Sequence, residues 1–220
     1  MPGLTVKICG LSEESHLLTV AAAGADYAGL VFAESRRRVS PQRARELTRV
    51  LDAVPFRPLV VGVFVNSPLH FVNATADLCG LDFVQLSGDE SAEYCSGVER
   101  PIIRSVHVST STTIEDIERL IVAQRAARSG AADIFLLDTG GKGVYGGTGR
   151  TFDWFVAREV AVRQPVMVAG GLTRENVGRL VREVHPAGVD VSSGVERDGR
   201  KDESLILAFV AEARKAGEEN

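Results

Sequence analysis

The chain has 220 residues, of which 45% are apolar and 25% charged, enough hydrophobic material for a large core and no compositional sign of disorder. A formal net charge of -4 offers no general attraction to phosphate backbones or anionic membranes, so nucleic acid and lipid surfaces are not expected partners and any anion site must be built locally. The opening Met1-Pro2-Gly3-Leu4-Thr5-Val6-Lys7 has neither the apolar core of a signal peptide nor the Arg-rich character of a transit peptide, and no apolar run reaches membrane-spanning length, so a cytoplasmic protein is expected.

Short β-branched apolar runs recur with helical patterns between them, the order expected of repeated βα units around a parallel sheet. In chain order they are residues 4–9, 27–32, 59–64, 83–86, 102–106, 134–138, 166–169 and 189–191. Between them, Ser12 with Glu14 and Ser15 is expected to open a helix. Ser40-Pro41 sets Ser at N-cap and Pro at the first helical position, and Thr173-Arg174-Glu175-Asn176 begins another helix after a glycine pair. Eight such units without a long spacer favour closure into a (β/α)8 TIM barrel over an open doubly wound sheet. The length suits one such barrel and no composition break divides it, so residues 1–220 are expected to form a single domain.

In that architecture the loops after the strands share one face, where active sites sit. Polar residues interrupting the strand ends are therefore the candidates: Cys9, Gln85, Ser87, Asp138 and Asp190. Lys7 and Cys9 are two apart and share a strand face, which should point into the barrel. A charged lysine inside a barrel is costly unless paired, and closure makes the eighth strand a neighbour of the first, so Asp190 is the expected counter-ion of Lys7. The loop from Gly140 to Gly149 is dense in glycine, while Gly170-Gly171 follows strand 7 and Ser192-Ser193-Gly194 follows strand 8. The last two loops frequently hold phosphate in this fold, beside a short extra helix, so a phosphomonoester ligand is expected.

Blander readings accompany each feature. A lone cysteine is usually a small buried hydrophobe, and Cys79 and Cys95, in or beside helical segments, are read that way; three cysteines without C-x-x-C spacing make neither a disulfide framework nor a zinc site. Asp138 has the form of a turn cap, yet an apolar strand delivering a carboxylate to the catalytic face favours a functional role. Arg36-Arg37-Arg38 is either a solvated run or an anchor for a carboxylate. The four histidines show no ligand spacing and are read as structural or exposed.

Taken together, Val6-Lys7-Ile8-Cys9-Gly10, Gly24-Ala25-Asp26, Gly29-Leu30-Val31-Phe32, Val39-Ser40-Pro41, Val61-Gly62-Val63-Phe64-Val65-Asn66 and Val84-Gln85-Leu86 resemble the phosphoribosylanthranilate isomerase family of tryptophan biosynthesis. The resemblance continues through Leu136-Leu137-Asp138-Thr139, the block from Gly146 to Trp154, Ala169-Gly170-Gly171-Leu172 with Asn176-Val177, and Gly188 to Glu196, and so covers almost the whole chain. It implies an Amadori rearrangement of N-(5-phosphoribosyl)anthranilate to 1-(2-carboxyphenylamino)-1-deoxyribulose 5-phosphate, with no cofactor or metal, Asp138 as acid and Cys9 as base. It further implies Lys7, Arg37, Gln85 and Asp190 as substrate-binding residues, with Arg37 on the anthranilate carboxylate. Phosphate would be held by the amides of Gly147, Gly149, Gly170, Gly171, Ser193 and Gly194. A free thiol is mostly protonated and a free Asp mostly ionised at neutral pH, so Lys7 and helix N-termini are expected to favour a Cys9 thiolate and desolvation to keep Asp138 protonated. Two positions depart from the pattern: Ser87 stands where a histidine is common, and Arg38 where an aromatic is common. Alternatives are the related histidine-pathway isomerase or its dual-substrate form, which carries an aspartate where this chain has Cys9, and a catalytically silent phosphosugar-binding barrel. A monomer is the default expectation, with a dimer open.

Overall fold

A computed structural model describes residues 3–109, 111–128, 133–138 and 154–219. The strands β1 (Thr5–Cys9), β2 (Tyr27–Val31), β3 (Leu59–Phe64), β4 (Phe83–Leu86), β5 (Ile102–His107), β6 (Ile134–Asp138), β7 (Val166–Ala169) and β8 (Gly188–Val191) close into a parallel barrel in sequence order, with β8 paired to β1. Helices α1 (Glu14–Ala22), α2 (Pro41–Arg49), α3 (Leu69–Cys79), α4 (Ala92–Ser96), α5 (Ile114–Ala127), α6 (Phe155–Ala161), α7 (Val177–Val184) and α8 (Glu203–Glu218) surround it. A two-stranded hairpin, β9 (Glu196–Arg197) and β10 (Arg200–Lys201), stands between β8 and α8. Among the described residues no helix is long and apolar enough to cross a membrane.

Alternation along each strand separates two cores. Val6, Ile8, Ala28, Leu30, Val60, Val84, Ile102, Phe135, Val168 and Val189 face outward and join the apolar helix faces in one cluster. Inside the barrel a second cluster, Tyr27, Val61, Ile103, Leu136, Met167 and Ala169, fills the lower part, with the Tyr27 and Phe83 rings edge to face at 5.6 Å. This apolar floor leaves the inward positions nearer the strand C-terminal ends to polar residues, and it is what raises Lys7, Gln85, Ser105 and Asp190 into one layer.

At the opposite end a repeated clamp fixes the strand starts. Asp26, Asp82 and Asp133, each just before an even-numbered strand, accept from the backbone N–H of Val6, Val60 and Ile102 on the preceding odd-numbered strand at 2.6, 2.7 and 3.0 Å. Arg214, Arg57 and Arg128 pair with those carboxylates in turn. Features at this end of a barrel serve stability.

Ser40 caps α2, accepting from the Arg43 N–H at 3.1 Å with Pro41 at the first helical position, as the sequence predicts. Two helix starts differ. α1 begins at Glu14 with Glu13 in the cap position and no side-chain cap, so Ser12 does not open it. The residues after the glycine pair form a turn, the Thr173 N–H donating to Asn176 Oδ1 at 2.8 Å, and α7 starts only at Val177. At the second start the polar side chain of Asn176 satisfies the preceding turn rather than the helix end.

Candidate active site

β1 enters the barrel mouth with Lys7 and Cys9 on its inner side, as their spacing requires. Lys7 is completely buried, and its ammonium lies 3.0 Å from Asp190 Oδ2 on the adjoining β8. Burial works against both charges, opposing Lys7 and pushing Asp190 up; the adjoining Asp190 carboxylate leads the effects that oppose burial at Lys7, which is held as an ammonium above its ordinary range. The contact lacks hydrogen-bond geometry, and Lys7 Nζ, Asp190 Oδ1 and Gln85 Oε1 have no hydrogen-bond partner among the described residues. Three buried polar atoms with spare bonding capacity in one layer suit a hydroxyl-rich ligand.

Cys9 is buried at the end of β1, and room for its thiol depends on Gly29 beside it, where a Cβ would press against both Sγ and the Cys9 backbone. Burial pushes the thiol up, and Lys7 and Lys201 only partly oppose this. The expected net shift toward thiolate is therefore reversed: the same enclosure that brings Lys7 close removes the water that would solvate a thiolate. Asp138 ends β6 across the barrel, partly exposed, and its charge is felt by Asp190, which also acts on Cys9. Cys9, Lys7, Asp190 and Asp138 thus form a connected series of ionisable groups.

On the other wall, Gln85 Nε2 donates to Ser87 Oγ at 3.0 Å and Ser105 Oγ at 3.2 Å, and the two hydroxyls lie 2.8 Å apart. This fixes the amide so that its oxygen is the free end.

Arg37 stands at the rim beside Gly10 and is bound by Glu196 through Nε at 2.5 Å and Nη2 at 2.9 Å. Lys201 Nζ donates to the same carboxylate at 3.0 Å and to the Ser192 carbonyl at 2.8 Å. Arg36 makes a further contact to Glu196. Burial alone raises Glu196, but Arg37 and Lys201 outweigh it and hold the carboxyl at about 2. An open cleft of about 450 Å³ runs between Gly10, Arg36, Arg37, Glu196 and Lys201. Sequence reasoning missed Glu196 and Lys201 as site residues. The signal was Asp198-Gly199, a hairpin dipeptide with both residues at positive φ, which sets Lys201 opposite Glu196 in register. Because the folded carboxyl titrates below its ordinary value of 4.5, it stabilises the fold above that value and ceases to do so as pH falls toward 2. Urea midpoints of wild type and Glu196→Gln should accordingly differ most above about pH 5 and converge toward pH 2.

The β7 and β8 loops press together. At Gly194, in a short 3-10 turn Ser193–Val195, any Cβ would collide with the Leu172 carbonyl oxygen. Gly170 and Gly171 both adopt positive φ, and a Cβ on Gly171 would meet only open space. Gly147 and Gly149 lie outside the described residues. Cys79 and Cys95 are buried in the outer core, as read from sequence. Among the described residues no cluster of three or more His, Cys, Asp or Glu is arranged to hold a metal ion.

Residues 6–212 match the family described as N-(5'phosphoribosyl)anthranilate (PRA) isomerase. The N-(5'-phosphoribosyl)anthranilate isomerase of Dehalococcoides mccartyi is 45% identical over 213 residues, 97% of either chain. A phosphoribosylanthranilate isomerase crystallised with reduced 1-(o-carboxyphenylamino)-1-deoxyribulose 5-phosphate superposes with a TM-score of 0.79 at 34% identity, covering 96% of this chain and 99% of its own. Monomers generated from the dimeric enzyme of Thermotoga maritima superpose with a TM-score of 0.78 at 34% identity and the same coverage.

Proposed function

The chain belongs to the N-(5'-phosphoribosyl)anthranilate isomerase family, and from that premise we propose how its residues divide the work of the reaction. The protein is an isomerase of tryptophan biosynthesis that converts N-(5-phosphoribosyl)anthranilate to 1-(2-carboxyphenylamino)-1-deoxyribulose 5-phosphate. The Asp138 carboxyl gives its proton to the furanose ring oxygen, the bond from C1 to that oxygen breaks, and the nitrogen lone pair forms the Schiff base. Cys9, as thiolate, removes the proton from C2, and those electrons neutralise the iminium to give an enol amine. Ketonisation places a proton on C1 and releases the one on the C2 oxygen, so atoms and protons balance over the cycle.

The observation that carries this reading is the connected series of Cys9, Lys7, Asp190 and Asp138 at one barrel mouth. Burial makes the thiol the resting form of Cys9, so the Lys7 ammonium is the group that stabilises the thiolate when the base form is needed. The unpartnered atoms of Lys7, Asp190 and Gln85 take the sugar hydroxyls. Arg37 takes the anthranilate carboxylate, which requires it to share or exchange its contacts to Glu196. The phosphate rests on Gly170, Gly171, Ser193 and Gly194, with Gly147 and Gly149 completing the set. We further propose a cytoplasmic monomer with residues 1–220 as one domain; sedimentation of the purified protein distinguishes it from a dimer such as the Thermotoga maritima enzyme.

Gly194→Ala tests the phosphate assignment. Relieving the collision with Leu172 must part the β7 and β8 loops, so KM should rise about tenfold or more with a smaller change in kcat, measured as loss of substrate fluorescence. An unchanged KM would remove these loops from the phosphate site.

A further inference from the structure

β5 ends one residue later than its apolar run, and the added residue is His107, directly opposite Asp138 in register on β6. Counting by two from Ser105, whose hydroxyl lies in the Gln85 layer, His107 continues the inward face to the mouth of the barrel. Its Nε2 lies 3.0 Å from the backbone carbonyl oxygen of Ser87, and its Nδ1 lies 4.0 Å from Asp138 Oδ2. The side chain is 50% exposed, so one side of the ring meets solvent while the other meets the proposed acid.

The carbonyl decides the tautomer. A backbone oxygen only accepts, so Nε2 carries a proton, and in the neutral ring Nδ1 is left with its lone pair toward Asp138. At 4.0 Å the two atoms lie beyond direct hydrogen-bond distance; a proton on either group can link them through one bridging water or a small ring rotation, whereas a bare carboxylate facing a lone pair has no proton to share. The pair is complete when it holds one shared proton, the form from which Asp138 can donate. Ser87 itself occupies the strand-4 position where resembling sequences commonly carry a histidine, and here the imidazole comes from the neighbouring strand and rests on that same residue's carbonyl.

We propose that His107 positions the proton of Asp138 and returns it after each turnover. When Asp138 has given the shared proton to the ring oxygen, His107 is left as the Nε2–H tautomer still bound to Ser87; the proton released from the C2 oxygen on ketonisation, carried by water to Nδ1, then restores the shared proton of the pair. The inference rests on Asp138 being the acid.

The test is steady-state turnover of N-(5-phosphoribosyl)anthranilate by wild type, His107→Gln, His107→Ala, Asp138→Asn and the Asp138→Asn/His107→Ala pair. Gln keeps an N–H for the Ser87 carbonyl but cannot carry the proton. Both His107 variants should lose about ten- to a hundredfold in kcat with KM held within about threefold. Imidazole added to His107→Ala should restore kcat in a concentration-dependent way, and His107→Ala should cost nothing further once Asp138 is Asn. Retention of kcat within about twofold in either single variant, a loss confined to KM, or no response to imidazole would overturn the role of His107. Full activity of Asp138→Asn would instead remove the acid on which the inference depends.

Discussion

Cys9→Ala and Asp138→Asn should each lower kcat by at least about a hundredfold while leaving substrate binding within a few-fold, because each removes a proton-transfer group that acts only in the transition state. Cys9 has no described neighbour able to replace it: Lys7 is held as an ammonium and Asp190 is engaged with it, so neither offers a free base. Asp138→Asn keeps the shape and removes the donated proton, which separates chemistry from packing. The check is turnover on freshly generated substrate together with a binding isotherm for a product analogue. Activity within tenfold of wild type in either variant would refute that residue's assignment. Inactive wild type that still binds the analogue would leave the barrel and move the proton chemistry elsewhere.

Lys7→Met should destabilise the fold by about 3–5 kcal/mol at neutral pH, because it leaves the Asp190 carboxylate buried and unpaired in a layer with spare polar atoms already present. Lys7→Met/Asp190→Asn should recover most of that loss, since removing both charges ends the desolvation cost that one alone retains. Both variants should be nearly inactive, so the double variant would be folded without working. Urea unfolding of the four combinations is the measurement. A Lys7→Met protein as stable as wild type would mean that Asp190 is solvated or protonated, and the pair would lose its place at the centre of the site.

The barrel itself was readable because its signal is local and repeated. Val6-Lys7-Ile8-Cys9 states its own alternation, and eight apolar runs at βα spacing leave few ways to bury every strand. The pairing of Lys7 with Asp190 followed from closure alone, since a ring of strands makes the last a neighbour of the first. The block motifs were legible as a resemblance. Helix starts were less so, because Ser12 and Thr173 have the chemistry of caps and only the path of the following chain decides whether that chemistry serves the helix or the loop.

What only the tertiary structure decided are interactions between residues whose sequence separation hides them. Arg37 and Glu196 are far apart in the chain, yet the β9–β10 hairpin brings Glu196 and Lys201 against the Arg37 rim. In the sequence His107 is one of four histidines without ligand spacing, because nothing in Ser105-Val106-His107 says that β5 runs one residue further and meets Asp138 on its neighbour. The direction of the Cys9 shift was likewise beyond the sequence. Sequence shows that a cation is nearby but not how completely water is excluded, and for a buried thiol the lost solvation outweighs the cation. The sequence by itself therefore determined the strands, their order and the chemical types at the barrel mouth, since these depend on periodicity and residue identity. The direction of the Cys9 shift, the partners of Arg37 and the neighbour of Asp138 were decided by the closed barrel, because they depend on distance and burial, which exist only once the ring is formed.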